Sequence, residues 1–214
     1  MVEHRETYST AQPQTKRGTE RCLAFLDAAT TLFLQKGYDA VSLDDIVQYA
    51  GGSKASLYKF FGSKEGLFTA ICDYRRDIFL QELYKNFNCQ SNDIRKFLTV
   101  ILTNFYNHIT EEENINFLRL MLERAKHDTQ LAAYLYEQGP EHIVKDLARK
   151  LHWATKNGQL VCDHPLNSAK MFLGCLWHYE WQALMGLPIT KNLKEIEDYI
   201  QYTVDFFLKA HQYQ

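Results

Sequence analysis

SLDDIVQYAGGSKASLYKFFGSKEGL, Ser42 to Leu67, reads as two short helices separated by a glycine pair, with a third helix start directly behind them. Ser42 is a helix N-cap, and Asp45 three positions on can return a bond to it, the capping-box spacing. Leu43, Ile46, Val47 and Ala50 then recur at helical period on one face, leaving Asp44, Gln48 and Tyr49 outside. Gly51 and Gly52 break this helix. Ser53 is the next N-cap; Leu57, Phe60 and Phe61 form the new inward stripe, and Lys54, Ala55, Ser56, Tyr58 and Lys59 face outward. Gly62 stops the second helix, and Ser63 caps a third with Lys64 in its first turn.

A helix of two turns with small and polar residues in its N-terminal half enters a DNA major groove without steric conflict. Between Gly51 and Lys64 stand three lysines and no acidic residue, the sign expected of a surface that meets phosphates. A merely solvated face would also carry lysines; it is the helix-break-helix context that favours nucleic acid. On this reading the second helix is the reading helix, capped by Ser53, with Lys54, Ala55, Ser56 and Lys59 near base edges. Tyr58, Lys64 and Ser42 are placed to hold phosphates, Lys64 beside the backbone amides of a helix start.

AGGSKASLYKFFGSKEGLF resembles the signature of the tetracycline-repressor (TetR) family of bacterial regulators, A-G-V-S-K-G-T-L-Y-x-x-F-x-x-K-E-x-L. Ala50, Gly51, Ser53, Lys54, Leu57, Tyr58, Phe61, Lys64, Glu65 and Leu67 match it, and upstream an Ala- and Phe-rich helix ends at Lys36-Gly37-Tyr38 as the family's does. Gly52 departs from the usual branched apolar residue, Val47 from a small alanine, and Ala55-Ser56 from Gly-Thr. Ala55 and Ser56 stand where the family makes sequence-specific contacts, so the resemblance implies the fold and not the operator. Further on, NFLRLMLERAKHDTQLAAYLYEQGPEHIVKDLARKL resembles the C-terminal domains of an AcrR-like branch.

The remainder fits an all-α chain. Its 214 residues are 46% hydrophobic and 14% aromatic, enough for a headpiece and a larger second domain. Only four prolines and ten glycines interrupt the helical period. No apolar run reaches the roughly 18 residues of a membrane helix, and the N-terminus lacks the form of a signal peptide, so a cytoplasmic protein is expected. With a net charge of −2, DNA affinity must come from a local patch.

Residues 1–18 read as a flexible leader ending in Lys16 and Arg17, either a basic arm for DNA or a plain terminus. Residues 19–65 form the three-helix headpiece, its first helix burying Cys22, Phe25, Leu26, Ala29, Leu32 and Phe33, and residues 66–214 form a C-terminal effector-binding and dimerisation domain. After the helix from Ser63, further helices are expected near 91–109, 112–126, 128–157, 164–186 and 192–211, about nine in all, with breaks marked by Asn88, Thr110, Asn157-Gly158 and the Gly186 to Pro188 turn.

The resemblance implies a homodimer through the last two helices, here 169–184 and 193–208. Ile196, Tyr199, Ile200, Thr203, Val204, Phe206 and Phe207 cover more than one stripe of the last helix, which fits either a second partner outside the subunit or burial deep in a monomer. Trp177, Trp181 and Met185 repeat at four-residue spacing; with Phe117, Met121 and Trp153 they could wall a pocket for a small hydrophobic effector, with Arg124, His178, Tyr179 or Glu180 as polar contacts. Ordinary core or dimer packing is the other reading of the tryptophans. The family mechanism implied is mechanical: an effector shifts the helix that begins at Ser63, and the spacing of two reading helices on a palindromic operator changes.

Other chemistry finds little footing. Cys22, Cys72, Cys89, Cys162 and Cys175 have no C-x-x-C spacing, leaving a redox switch between two of them as the remaining cysteine chemistry. Glu123 and His127 share a helix face, but such a pair arises readily by chance on a charged helix. No metal or cofactor is expected, and no nucleophilic triad, phosphate loop or dinucleotide fingerprint is present. A ligand-responsive DNA-binding regulator is therefore the leading expectation, an architectural DNA-binding protein the next, and a helical enzyme the last.

Overall fold

The computed structural model describes residues 15–85, 93–190 and 192–213. α1 (Lys16–Lys36) starts at Thr15, whose hydroxyl accepts from the Gly18 amide at 3.1 Å, and stops at Gly37, where a φ of 80° suits a residue without Cβ. Lys16 to Gly18 are therefore helical and not leader; the rest of that segment lies outside the described residues. α2 (Leu43–Ala50) opens on the expected capping box: the Ser42 amide donates to the Asp45 carboxylate at 2.8 Å and the Asp45 amide to the Ser42 hydroxyl at 3.1 Å. α3 (Lys54–Phe61) and α4 (Lys64–Leu83) follow, the latter capped by Ser63, which accepts from the Gly66 amide at 3.0 Å.

The chain continues through α5 (Ile94–Thr110), α6 (Glu112–His127), α7 (Thr129–Gln138), α8 (Pro140–Lys156), α9 (Pro165–Gly174), α10 (Trp177–Leu184) and α11 (Leu193–Ala210). Eleven helices and no strand are thus found among the described residues, more than the nine or so expected. Two expected helices are each split. The one over 128–157 breaks at Gly139-Pro140, because Pro140 has no amide hydrogen to continue α7 and is tolerated only in the first turn of α8. The one over 164–186 breaks at Cys175-Leu176, with Leu176 fully buried at the joint. The break expected at Asn88 lies outside the described residues.

Two units divide the chain. One runs to Asp77 and takes in Leu120–Leu131; the other comprises Ile78–Arg119 and Ala132–Gln214. The boundaries fall within α4 and α6, whereas the sequence reading draws its line between residues 65 and 66.

The first unit is centred on aromatic side chains. Phe25 of α1 meets Phe61 of α3 edge-to-face, centroids 6.4 Å apart, while Phe33 and Phe68 pack at 6.1 Å and Tyr38 joins Phe68 at 5.3 Å. Ile46 and Leu57, one from each helix of the pair behind the glycine turn, are fully buried beside them. Each such side chain is worth roughly 1.5–3 kcal/mol of burial. Cys22, expected on this face, is only half-buried.

In the second unit the core is drawn from α5, α8, α9 and α11, with Leu98, Leu102, Leu151 and Val204 fully buried. Asn104 donates to the Glu82 and Leu83 carbonyls at 3.0 Å and so satisfies the end of α4. Tyr106 donates to the Thr190 carbonyl at 3.0 Å and Tyr199 to that of Cys175 at 2.6 Å, tying two connections to the helices beneath. At the C-terminal end His211 is buried, its Nδ1 at 2.8 Å from the Phe207 carbonyl and its Nε2 at 2.9 Å from the Ser168 hydroxyl. A carbonyl only accepts, so Nδ1 holds the proton, Ser168 donates to Nε2, and the Cys162 thiol donates to Ser168 at 3.3 Å.

Gly66 is the tightest backbone position: a Cβ there would lie 2.1 Å from the Phe61 carbonyl oxygen. Gly66→Ala must therefore push α4 away from the end of α3. We expect it to destabilise the first unit by about 3 kcal/mol, read from urea unfolding followed by circular dichroism; wild-type stability would show that the α3–α4 junction yields freely.

Candidate nucleic-acid interface

α3 presents the surface that its pattern foretells. Leu57 and Phe61 are buried; Lys54, Ala55, Tyr58 and Lys59 are exposed and Ser56 half-exposed. Ser53 accepts the Ser56 amide at 3.2 Å, and the two hydroxyls are 2.9 Å apart, so the N-cap also fixes the Ser56 side chain. Lys16 and Arg17 occupy the exposed first turn of α1, where positive charge opposes the helix dipole and gains most from a neighbouring anion.

Three placements were not visible in the sequence. Lys54 Nζ lies 2.9 Å from the Asp44 carboxylate, an exposed ion pair across the glycine turn. This raises the Lys54 pKa and partly neutralises a stretch that looks uniformly basic; nothing local in the sequence signals it. Arg21 of α1 donates to the Ala50 carbonyl at 3.3 Å, capping α2 from outside. It also explains why Gly52 departs from the family pattern. Gly52 has φ 104°, and a Cβ there would stand 3.1 Å from Arg21 and 3.2 Å from Phe25, so those two side chains occupy the space of the usual apolar residue. The departure itself was the available clue that a neighbour must compensate.

The third placement concerns Tyr38, which lies in the connection between α1 and α2. Lys64 Nζ sits 4.2 Å from its ring centroid and Arg124 Cζ 4.0 Å, with Arg124 also 3.8 Å from Asp39. Burial lowers the Lys64 pKa, and burial with the Glu65 charge pushes the Tyr38 phenol well above its usual range. Lys64 is thus drawn onto its own unit and not extended towards solvent. Ser42 is similarly committed: its hydroxyl donates to Asp45 at 2.6 Å, leaving no proton for a phosphate while that bond holds.

The six residues expected to wall an effector pocket are drawn from both units. Phe117 is buried and Trp153 half-buried in the second unit, whereas Met121 and Arg124 belong to the first. Trp177 and Trp181 are 62% and 42% exposed and meet each other edge-to-face at 5.9 Å. Leu176 and Ala183, seven positions apart, hold the inward face of α10 and turn Trp181 and Met185 outward. Of the polar candidates beside them, Glu180 has its pKa raised by burial.

Three thiols, Cys22, Cys72 and Cys175, show no activation. Burial raises the pKa of Cys22 and Cys72 and lifts Cys175 to about 12, opposite to what a reactive thiolate needs. No disulfide occurs among the described residues; Cys89 lies outside them.

Known proteins share this arrangement. The family model described as bacterial regulatory proteins, tetR family, matches residues 25–71, and that of the AefR-like transcriptional repressor C-terminal domain matches residues 96–213, more than half the chain. The HTH-type transcriptional repressor ComR of Escherichia coli K12 is 34% identical over 90 residues, which are 42% of this chain and 43% of that one. The match therefore spans less than half the length of this curated relative. A TetR-family transcriptional regulator from Mesorhizobium loti has a solved structure similar at a TM-score of 0.78, 25% identical and covering 92% of this chain and 99% of that one. The flavonoid-responsive regulator FrrA gives a TM-score of 0.77 at 28% identity, covering 90% and 97%.

Asp44 places a negative charge beside α3 and occupies Lys54. Asp44→Asn is expected to tighten binding to DNA of any sequence and to steepen log K against log salt by about 0.9, the contribution of one more phosphate contact. Fluorescence anisotropy across a salt series checks this; weaker binding would mean that the ion pair is what aims Lys54.

Proposed function

Because the chain belongs to the AefR-like transcriptional repressors of the tetR family of bacterial regulatory proteins, we propose that it acts as a homodimer on a two-fold symmetric operator, represses transcription there, and is released by a small hydrophobic effector. The observation that carries this reading is α3 itself: a two-turn helix, pinned by Leu57 and Phe61, whose outer face is Lys54, Ala55, Ser56, Tyr58 and Lys59. Ser56, fixed by Ser53, reads a base edge, Lys54 and Lys59 supply charge beside it, and Tyr58 holds a phosphate. Lys64 and Ser42 act less directly, by positioning the turn and α2. Lys16 and Arg17 add backbone contacts from α1.

The dimer is supported by apolar surface on the second unit. Tyr202 and Phe206 of α11 are 67% and 63% exposed and stack at 6.3 Å, and Trp177, Trp181 and Met185 crowd the outer side of α10. Exposed apolar side chains gathered in this way mark an interaction surface. A second copy satisfies it, and two copies supply the two reading helices that half-sites about 34 Å apart demand.

The effector acts on the second unit. FrrA, similar over nine tenths of this chain, is by its name flavonoid-responsive, which favours a flat hydrophobic molecule. α4 carries residues of both units, so a shift of its C-terminal half is delivered to the turn at Ser63 and from there to α3. The function needs binding alone, with no catalytic step or cofactor. Among the described residues no helix is long and apolar enough to cross a membrane, and work on a bacterial chromosome sets the protein in the cytoplasm.

Binding to the DNA flanking the protein's own gene tests this reading. We expect affinity at least about 10³-fold above that for random duplex at the same salt. Lys59→Ala should weaken binding to all sequences and reduce the salt slope by about 1, whereas Ser56→Ala should alter preference among sequences at one position, by roughly 1–3 kcal/mol. Equal losses on specific and random DNA for both variants would remove Ser56 from the readout.

Phe206→Glu tests the dimer. It should give a folded monomer by light scattering and lose tight operator binding. A dimer of unchanged stability would move the interface elsewhere.

A further inference from the structure

The first three helices do not end alike. α1 and α3 each close on a glycine whose amide returns to the carbonyl of the turn before it, Gly37 to Phe33 at 2.9 Å and Gly62 to Tyr58 at 2.8 Å. α2 also ends on a glycine, Gly51, but among the described residues no such return bond forms there. Its end is closed from another helix: Arg21 of α1 donates through Nη1 to the Ala50 carbonyl at 3.3 Å. A guanidinium in that place also meets the negative end of the α2 dipole.

The same Nη1 lies against the glycine pair. A Cβ on Gly51 would stand 3.6 Å from it and one on Gly52 3.1 Å, with Arg21 Cδ at 3.3 Å from the latter. Gly51 and Gly52 have φ of 70° and 104°, and two adjacent glycines leave the path from α2 to α3 weakly determined by the chain itself. Phe25 anchors the C-terminal end of α3 through Phe61, and the Lys54 to Asp44 bridge is exposed and so contributes little. At the turn the directional contact is that of Arg21. Ser53 follows Gly52 directly, and its hydroxyl accepts the Ser56 amide at 3.2 Å and lies 2.9 Å from the Ser56 hydroxyl. A change of path at Gly52 therefore carries the Ser53 cap and the Ser56 side chain with it.

We propose that Arg21 is a positioning residue for sequence readout: by closing α2 from α1 it fixes the path of the glycine turn and, through Ser53, the aim of Ser56 at a base edge. This deepens the regulator reading above and rests on it. The role differs from that of a phosphate contact. An arginine engaged with a phosphate adds the same attraction for every sequence, whereas one that aims Ser56 adds discrimination.

Two substitutions separate these roles. Arg21→Met keeps much of the stem and removes the donor and the charge; Arg21→Lys keeps the charge and removes the planar group beside Gly52. The full-length variants are titrated by fluorescence anisotropy against the duplex that the unmutated chain selects from a random pool, and against random duplex. Both should lose about tenfold on the selected duplex and less than about twofold on the random one. Across a salt series Arg21→Met should leave the slope of log K on random DNA unchanged, since a lost phosphate contact would reduce it by about 0.9. In a Ser56→Ala background Arg21→Met should cost no further discrimination, because the side chain it aims is gone. If Arg21→Met melts early, Arg21→Gln takes its place. Equal losses on both duplexes, a slope reduced by about 0.9, discrimination retained in full, or a loss that adds to that of Ser56→Ala overturns the proposal alone. Selection of no consensus by the unmutated chain overturns the regulator reading and this proposal with it.

Discussion

Everything proposed for the reading helix depends on how Phe25 and Arg21 of α1 fill the back of the glycine turn. Phe25 packs edge-to-face on Phe61, and Arg21 binds the last carbonyl of α2. Between them they occupy the volume a side chain at position 52 would need. The angle between α2 and α3 is therefore set from outside the turn by the helix that precedes it. The glycine pair, which in isolation would loosen the junction, is fixed by what surrounds it. A two-turn helix has too few internal bonds to be stable alone, so α3 exists as a rigid element because Leu57 and Phe61 are anchored on this platform.

The electrostatics follow the same division of labour. A chain of net charge −2 cannot be drawn to DNA by its overall field, so attraction must be local. On the function proposed above Lys54, Lys59, Lys16 and Arg17 supply it, yet Asp44 binds Lys54 and Tyr38 holds Lys64. The free protein is thus less basic at this surface than its lysine count implies. Such restraint suits a regulator, since non-specific affinity rises with each unpaired cation while sequence preference does not.

The parts legible in the sequence were those with short-range causes. The Ser42 capping box, the Ser53 and Ser63 caps, the inward Leu57 and Phe61 and the break at Gly51-Gly52 each depend on residues within four positions of one another. What escaped reading depends on distant partners or on competition between signals. Gly139-Pro140 sits in an apolar period that runs on through both helices, so the period concealed the break. Trp177 and Trp181 look like core by size, but Leu176 and Ala183 decide which face of α10 turns in, and neither is conspicuous. The Lys54 to Asp44 pair, the Arg21 cap and the Arg124 stack on Tyr38 join side chains through the fold, beyond the reach of any local pattern.

The most direct test of the central claim, that α3 of two copies reads adjacent major grooves, is selection of duplexes from a random pool followed by hydroxyl-radical footprinting of the recovered sequence. The expected result is a two-fold symmetric consensus with two protected half-sites on one face of the duplex, about one helical turn or a multiple of it apart. Recovery of no consensus, or of an asymmetric site with a single protected region, would contradict it.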